Sequence, residues 1–224
     1  MGAVRGAREW GGAMSDIRMG TSPTLGWHFL PENGRLQHDR KALVRVGVTY
    51  RVKGPLSLCS RGMHFSVRAI DALKYAPGPI CCRVSVSGLI HMDTDKGCAE
   101  QRKVLAMVDA TPILGEWACW CAEQALLGER KAGREPDARS WAALDVKRRW
   151  LRGAASDSEI DAASDAAWAA ASDAASAAAR DAAWAAASYA ASYAARAAQN
   201  AELERLLLMA MGLKADEMNA EVGR

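Results

Sequence analysis

Residues 156–195 read as five consecutive octads, and this repeat constrains the fold more than any other stretch. Four copies are regular: Ser164–Ala171 (SDAAWAAA), Ser172–Ala179 (SDAASAAA), Arg180–Ala187 (RDAAWAAA) and Ser188–Ala195 (SYAASYAA). The first, Ser156–Ala163 (SDSEIDAA), is degenerate. Alanine is the best helix former, and neither Gly nor Pro falls between Gly153 and Gly212. Ser156 with Glu159 fits a capping box, and Asp157, Glu159 and Asp161 put negative charge at the helix start. The repeat does not match the helix turn, however. At about 100° per residue, eight residues overshoot two turns by roughly 80°, so the Ser-Asp edge winds almost once around a straight helix. Either the segment breaks into shorter helices, or one helix meets different partners along its length. Packed helices are expected, because a lone rod would expose Trp168, Trp184, Tyr189 and Tyr193. Those four residues mark a protein-binding surface. Nothing in the octads suggests a nucleophile or a metal site.

Length and charge narrow the function classes. The 224 residues can hold one large domain or two small ones, and a net charge of +3 does not demand a nucleic-acid partner. The N-terminus lacks the apolar core of a signal peptide, and no run of about 18 residues is apolar enough to span a bilayer. The expectation is a cytoplasmic chain without a membrane partner. Its thiols at Cys59, Cys81, Cys82, Cys98, Cys119 and Cys121 would then be reduced.

The predicted fold class is α+β, a small mixed α/β domain followed by an all-α, Ala-rich helical region. The Gly-rich residues 1–23 should be mobile, residues 24–109 should form the α/β domain, residues 110–212 the helical one, and residues 213–224 should fray. Strands are expected at Trp27–Leu30 and at Leu43–Val52, where β-branched residues alternate with polar ones. Ser66 is placed to cap a helix over Val67–Tyr75. Ile80–Val86 and Leu89–Met92 read as a strand pair joined across Ser87-Gly88, and Lys103–Val108 as a last strand. Helices are predicted over Ile113–Leu127, opened by Thr111-Pro112, and over Ser140–Leu151. Glu202–Met211 is an amphipathic segment.

Four constellations bear on chemistry. In Cys59-x-x-Gly62-x-His64, the thiol and imidazole suit two metal ligands, or a nucleophile and its base. Cys81, Cys82, His91 and Cys98 would complete a metal site only if the fold gathers them. The preferred reading is a buried thiol and a hydrogen-bonded His in a tight turn that needs Gly62, with no metal. Cys119 and Cys121 sit two apart on a helix and point to different faces, which favours core packing. Asp93, Asp95, Glu100 and Gln101 read as a solvated turn rather than a cation site. Arg139, Lys147, Arg148, Arg149 and Arg152 form a basic patch flanked by Trp141 and Trp150. It suits phosphate contacts, or pairing with an acidic octad edge of Asp157, Asp161, Asp165, Asp173 and Asp181; the pairing is preferred, and nucleic acid is the lesser partner.

Some of these motifs carry resemblances. Gly26–Val108, through Tyr50, Cys59-x-x-Gly62-Met63-His64, Ala72–Tyr75 and Val84–Gly88, resembles an uncharacterised small domain of phage and bacterial proteins. Ala118–Ala198, through Cys121-Ala122-Glu123, Pro136-Asp137-x-Arg139, Arg149–Gly153 and the octads, resembles Ala-rich proteins described as immunity proteins. Neither likeness brings an established activity. Gly62-Met63-His64-Phe65-Ser66, with Ala69 and Tyr75, is also similar to the strand and following helix of ADP-ribosyltransferases. That similarity implies NAD as cofactor, His28 on the nicotinamide ribose, His64 in place of the usual Tyr, and Glu100 or Glu116 as the polarising acid. The expected function is that of a non-enzymatic, protein-binding accessory protein, phage- or mobile-element-encoded. It would act in a host defence or immunity interaction through its helical region, by a protein partner or by self-association. The alternative is an ADP-ribosyltransferase-like NAD-binding domain, active or degenerate.

Overall fold

Two long neighbouring strands, β5 (Ile80–Met92) and β6 (Gly97–Asp109), organise the sheet in the computed structural model of the chain. The structure describes residues 16–20, 22–36, 42–178 and 185–214, without the side chains of 16, 18, 168 and 185–193 or of 170–178. Helices and an antiparallel sheet make this an α+β protein, and the chain divides into two compact units. One holds the described residues up to Gly78 with Cys82–Met107; the other holds Pro79–Cys81 and the described residues from Val108.

In the first unit, β1 (Asp16–Met19) and β2 (Thr24–Leu30) pair with β5, while β3 (Thr49–Arg51) and β4 (Met63–Phe65) pair with β6. Just beyond β4, Ser66 exchanges backbone hydrogen bonds of 2.8 and 3.0 Å with Trp27 of β2. The four strands β2, β5, β6 and β4 therefore form a closed hydrogen-bonded circuit. Its core holds Trp27, Phe29, Phe65, Val84, Val86, Cys98 and Val104, with Ala69 and Ala72 of the short helix α1 (Ala69–Leu73). Closure needs a close backbone approach at Gly26, where a Cβ would lie 2.7 Å from Phe65 Cδ2 and 2.9 Å from Ser66 O. Gly26→Ala should therefore destabilise this unit by about 1–3 kcal/mol, the usual range for overpacking, read as a lower urea midpoint.

Several elements differ from the sequence reading, each for a local reason. Residues 16–19, assigned to a mobile stretch, form β1 in register with Met92 to Leu89. The strand expected over Leu43–Val52 is confined to Thr49–Arg51. Gly47 at φ +83° turns the chain there, and the Tyr50 hydroxyl bonds Arg45 N and Leu43 O. Ser66 is engaged with Trp27, so α1 starts later, behind Arg68 in extended conformation. The two strands expected across Ser87-Gly88 are one. Gly88 takes φ +81° and the Glu100 carboxylate accepts from Leu89 N at 2.9 Å, so the irregularity is absorbed within β5.

The described elements of the second unit after Asp109 are α2 (Thr111–Lys131), α3 (Ala138–Leu151), α4 (Asp157–Ala178) and α5 (Ala185–Ala210). Ser156 and Glu159 make the reciprocal bonds of a capping box: Ser156 N donates to Glu159 Oε2 at 2.9 Å, and Glu159 N to Ser156 Oγ at 3.3 Å. The octads thus occupy parts of two helices, with residues 179–184 outside the description. α3 packs on α2 and α4, and α2 also packs on α5. Leu203 and Leu207, one helical turn apart, are fully buried, and Trp117 Nε1 donates to Gln199 O at 2.9 Å. Gly212 at φ +67° ends α5, with Leu213 N bonded to Leu208 O.

Candidate ligand-binding cleft

The sheet unit contains a cleft of about 490 Å³, within the range of small-molecule sites. β2 supplies Trp27, His28 and Phe29; the turn before β4 supplies Cys59, Ser60 and Arg61; and β4 supplies Met63, His64 and Phe65. Ala72, Tyr75, Lys96 and Arg102 complete much of the wall with Leu36 and Val52. The residues of the Cys-x-x-Gly-x-His element, and both histidines of the NAD reading, therefore come together. Trp27 and Ser66 bridge β2 to the end of β4, and this pairing places His28 beside His64.

The tight turn that presents Cys59 is closed by Ser57 and Arg61, which exchange bonds of 2.8 and 2.7 Å. Cys59 sits at its tip with φ +63°, unusual for a residue with a side chain. Its backbone N–H donates to His64 Nε2 at 3.1 Å. A ring nitrogen that accepts is unprotonated, so Nδ1 carries the proton of the neutral imidazole. His64 thus holds the turn through its backbone and is not set as base for the Cys59 thiol. The thiol is exposed rather than buried, a difference from the sequence reading that follows from its place at the tip. Gly62 is required there, because a Cβ would meet Cys98 Cβ at 2.6 Å. No three His, Cys, Asp or Glu side chains gather as a metal site among the described residues, and no disulfide joins the six cysteines.

The cleft is basic. Arg102 lies on the core face of β6 in phase with Val104 and Ala106, 2 % exposed, and its Nη1 donates to His64 O at 2.6 Å. Burial pulls its pKa down to about 10. Lys96 lies over the Tyr75 ring at 4.8 Å and beside Cys59; the contact with that thiol raises its pKa. His28 is held well below the ordinary 6.5, first by burial, then by the positive charge of Arg102 and by His64. The sequence reading missed Arg102. Its one signal was period-two phase with the apolar residues that follow it.

A pH dependence follows. His28 stays neutral in the folded state, while the unfolded chain takes up its proton below about pH 6.5, so the unfolded state binds more protons there. Its contribution weakens folding as pH falls through 6.5, by at most about 1.4 kcal/mol per pH unit. Urea midpoints at stepped pH should fall less steeply below pH 6.5 for His28→Gln than for the unsubstituted chain.

The remaining predicted residues do not line the cleft. Glu100 is bound to Leu89 N and does not line it, and Glu116 lies in α2 of the other unit. Asp95 accepts from Lys74 Nζ at 2.8 Å and Tyr75 Oη at 2.9 Å, so it ties the β5–β6 turn to α1; these contacts lower its pKa. In the basic patch, Arg148 pairs with Glu123 of α2, Arg149 with Glu159 of α4, and Arg139 with Asp137. Lys147 lies over the Trp150 ring at 3.8 Å, whose Nε1 donates to Asp157. The patch thus meets α4 through Glu159 and α2 through Glu123 rather than through the predicted aspartate edge, of which Asp157 accepts from the flanking Trp150. Arg152 is the exposed C-cap of α3. Trp184 lies outside the described residues, as do the side chains of Trp168, Tyr189 and Tyr193.

Fold and site together define an α+β protein with a basic, apolar-walled cleft in its sheet unit. Comparison with protein-family models, curated proteins and solved structures finds no match for the chain. Among the described residues, no helix is long and apolar enough to cross a membrane.

Proposed function

We propose that this chain is a non-enzymatic binding protein whose sheet unit holds a small-molecule ligand in the cleft. The carrying observation is that the cleft is built as a receptacle without an acid–base set. His64 Nε2 is occupied by Cys59 N, the Glu100 carboxylate by Leu89 N, and among the described residues no Asp or Glu lines the wall. Incubation of the full chain with NAD tests the reading. Nicotinamide release should stay at the no-protein rate; sustained release that disappears in His28→Ala would overturn it.

The second reading is an ADP-ribosyltransferase-like NAD site, and the meeting of His28 and His64 in one cleft favours it. The same incubation decides between the two. In either reading, an all-α, Ala-rich region serves as the accessory part. The exposed small residues at the described ends of the octads, Ala162, Ser164, Ala194 and Ala195, favour close approach by a protein partner or a second copy. A phage- or mobile-element-encoded accessory role in a host defence or immunity interaction is the biological setting of this proposal. Light scattering of the purified chain across a concentration series tests self-association.

A further inference from the structure

We propose that the ligand of this cleft is a small organic anion, with its charge directed toward Arg102 and its planar body against the apolar wall. The inference rests on the binding reading above and names the class of ligand. Burying a guanidinium is costly unless an anion matches it. Arg102 is 2 % exposed, its Nε has no hydrogen-bond partner, and it forms no ion pair among the described residues. Several other arginines of the chain are matched by carboxylates, among them Arg130 by Glu135, Arg148 by Glu123 and Arg205 by Glu202.

The surroundings of Arg102 point the same way. Arg61 and Lys96 also line the cleft and also form no ion pair among the described residues. Arg61 donates only to a carbonyl, that of Lys53, and Lys96 contacts the Tyr75 ring and the Cys59 thiol. Among the described residues the lining thus carries three cationic side chains, Arg61, Lys96 and Arg102, beside the neutral His28 and His64, and no carboxylate. Positive groups gathered in one concave, low-dielectric site attract an anion more strongly than the same groups spread over a surface. The rest of the wall is apolar, through Leu36, Val52, Met63 and the aromatic residues, and half-exposed Tyr75 offers a ring face. A bare inorganic anion would leave that wall and most of the 490 Å³ unused. A ring that bears an acidic group uses both.

A matched pair of probes tests this on the full chain. Anilinonaphthalenesulfonate and uncharged phenylnaphthylamine share a ring system and differ in charge. The anion should bind at one site at least about tenfold more tightly, a difference of about 1.4 kcal/mol. That preference should collapse in Arg102→Met. It should also weaken in Lys96→Met and Arg61→Met, which change a half-buried and an exposed side chain outside the core. Displacement by adenosine monophosphate or by benzoate then separates a phosphate-bearing from a carboxylate-bearing source. Equal binding of the two probes would overturn the anion while leaving a binding cleft in place. Binding of neither would overturn both readings. An anion preference unchanged in all three variants would place the probe elsewhere and overturn the proposal.

Discussion

Arg102→Met is expected to leave the fold intact and to raise the stability of the unliganded chain by up to about 1.5 kcal/mol. Burial holds the guanidinium at about 10, well below its ordinary value. At about 1.36 kcal/mol per unit, that corresponds to a cost on the order of 3 kcal/mol for keeping the buried group charged. Methionine removes this cost and fills the core face beside Val104 and Ala106. It also gives up the Nη1 bond to His64 O, a loss of about 1.5–3 kcal/mol for a bond to a charged donor. A residue that weakens the empty protein and strengthens the liganded one is the signature of a binding site. Denaturant midpoints of the two proteins check the sign. A loss above about 2 kcal/mol would mean that Arg102 is a structural strut.

Leu207→Ala should have the opposite effect, in the other unit. Leu203 and Leu207 are fully buried on α5, the helix that packs on α2. Truncation of a buried leucine costs about 2–5 kcal/mol, so the helical signal at 222 nm in circular dichroism should be lost at clearly lower urea. Met209→Ala on the exposed side of the same helix, 64 % exposed, should change little. Equal effects from the two would contradict the packing described for α5.

How much of this was legible in the sequence depended on how local each signal was. The octads, their capping box and the Pro-led start of α2 depend on neighbours within a few residues, and the chain adopts helices there. The sheet is set by distant pairings instead. Asp16–Met19 alternates polar and apolar residues, but four residues are too few to mark a strand by themselves, and it becomes one because β5 lies beside it. Leu43–Val48 has the alternation and does not, because Gly47 turns it away. The cleft was half legible. The Cys59–His64 element and His28 stood out by residue type, but their meeting needs the Trp27–Ser66 bridge, which joins segments 39 positions apart. Arg102 was invisible as a site because nothing in a strand sequence distinguishes a paired buried arginine from an unpaired one.

The measurement that reaches the central claim most directly is the side-chain Nε–H resonance of Arg102, assigned by its loss in Arg102→Met. Titration of the full chain with anilinonaphthalenesulfonate should move that resonance saturably, with the same midpoint as the fluorescence change. Phenylnaphthylamine should leave it in place. A resonance that stays fixed while the anion binds would show that the buried charge of Arg102 does not serve the ligand.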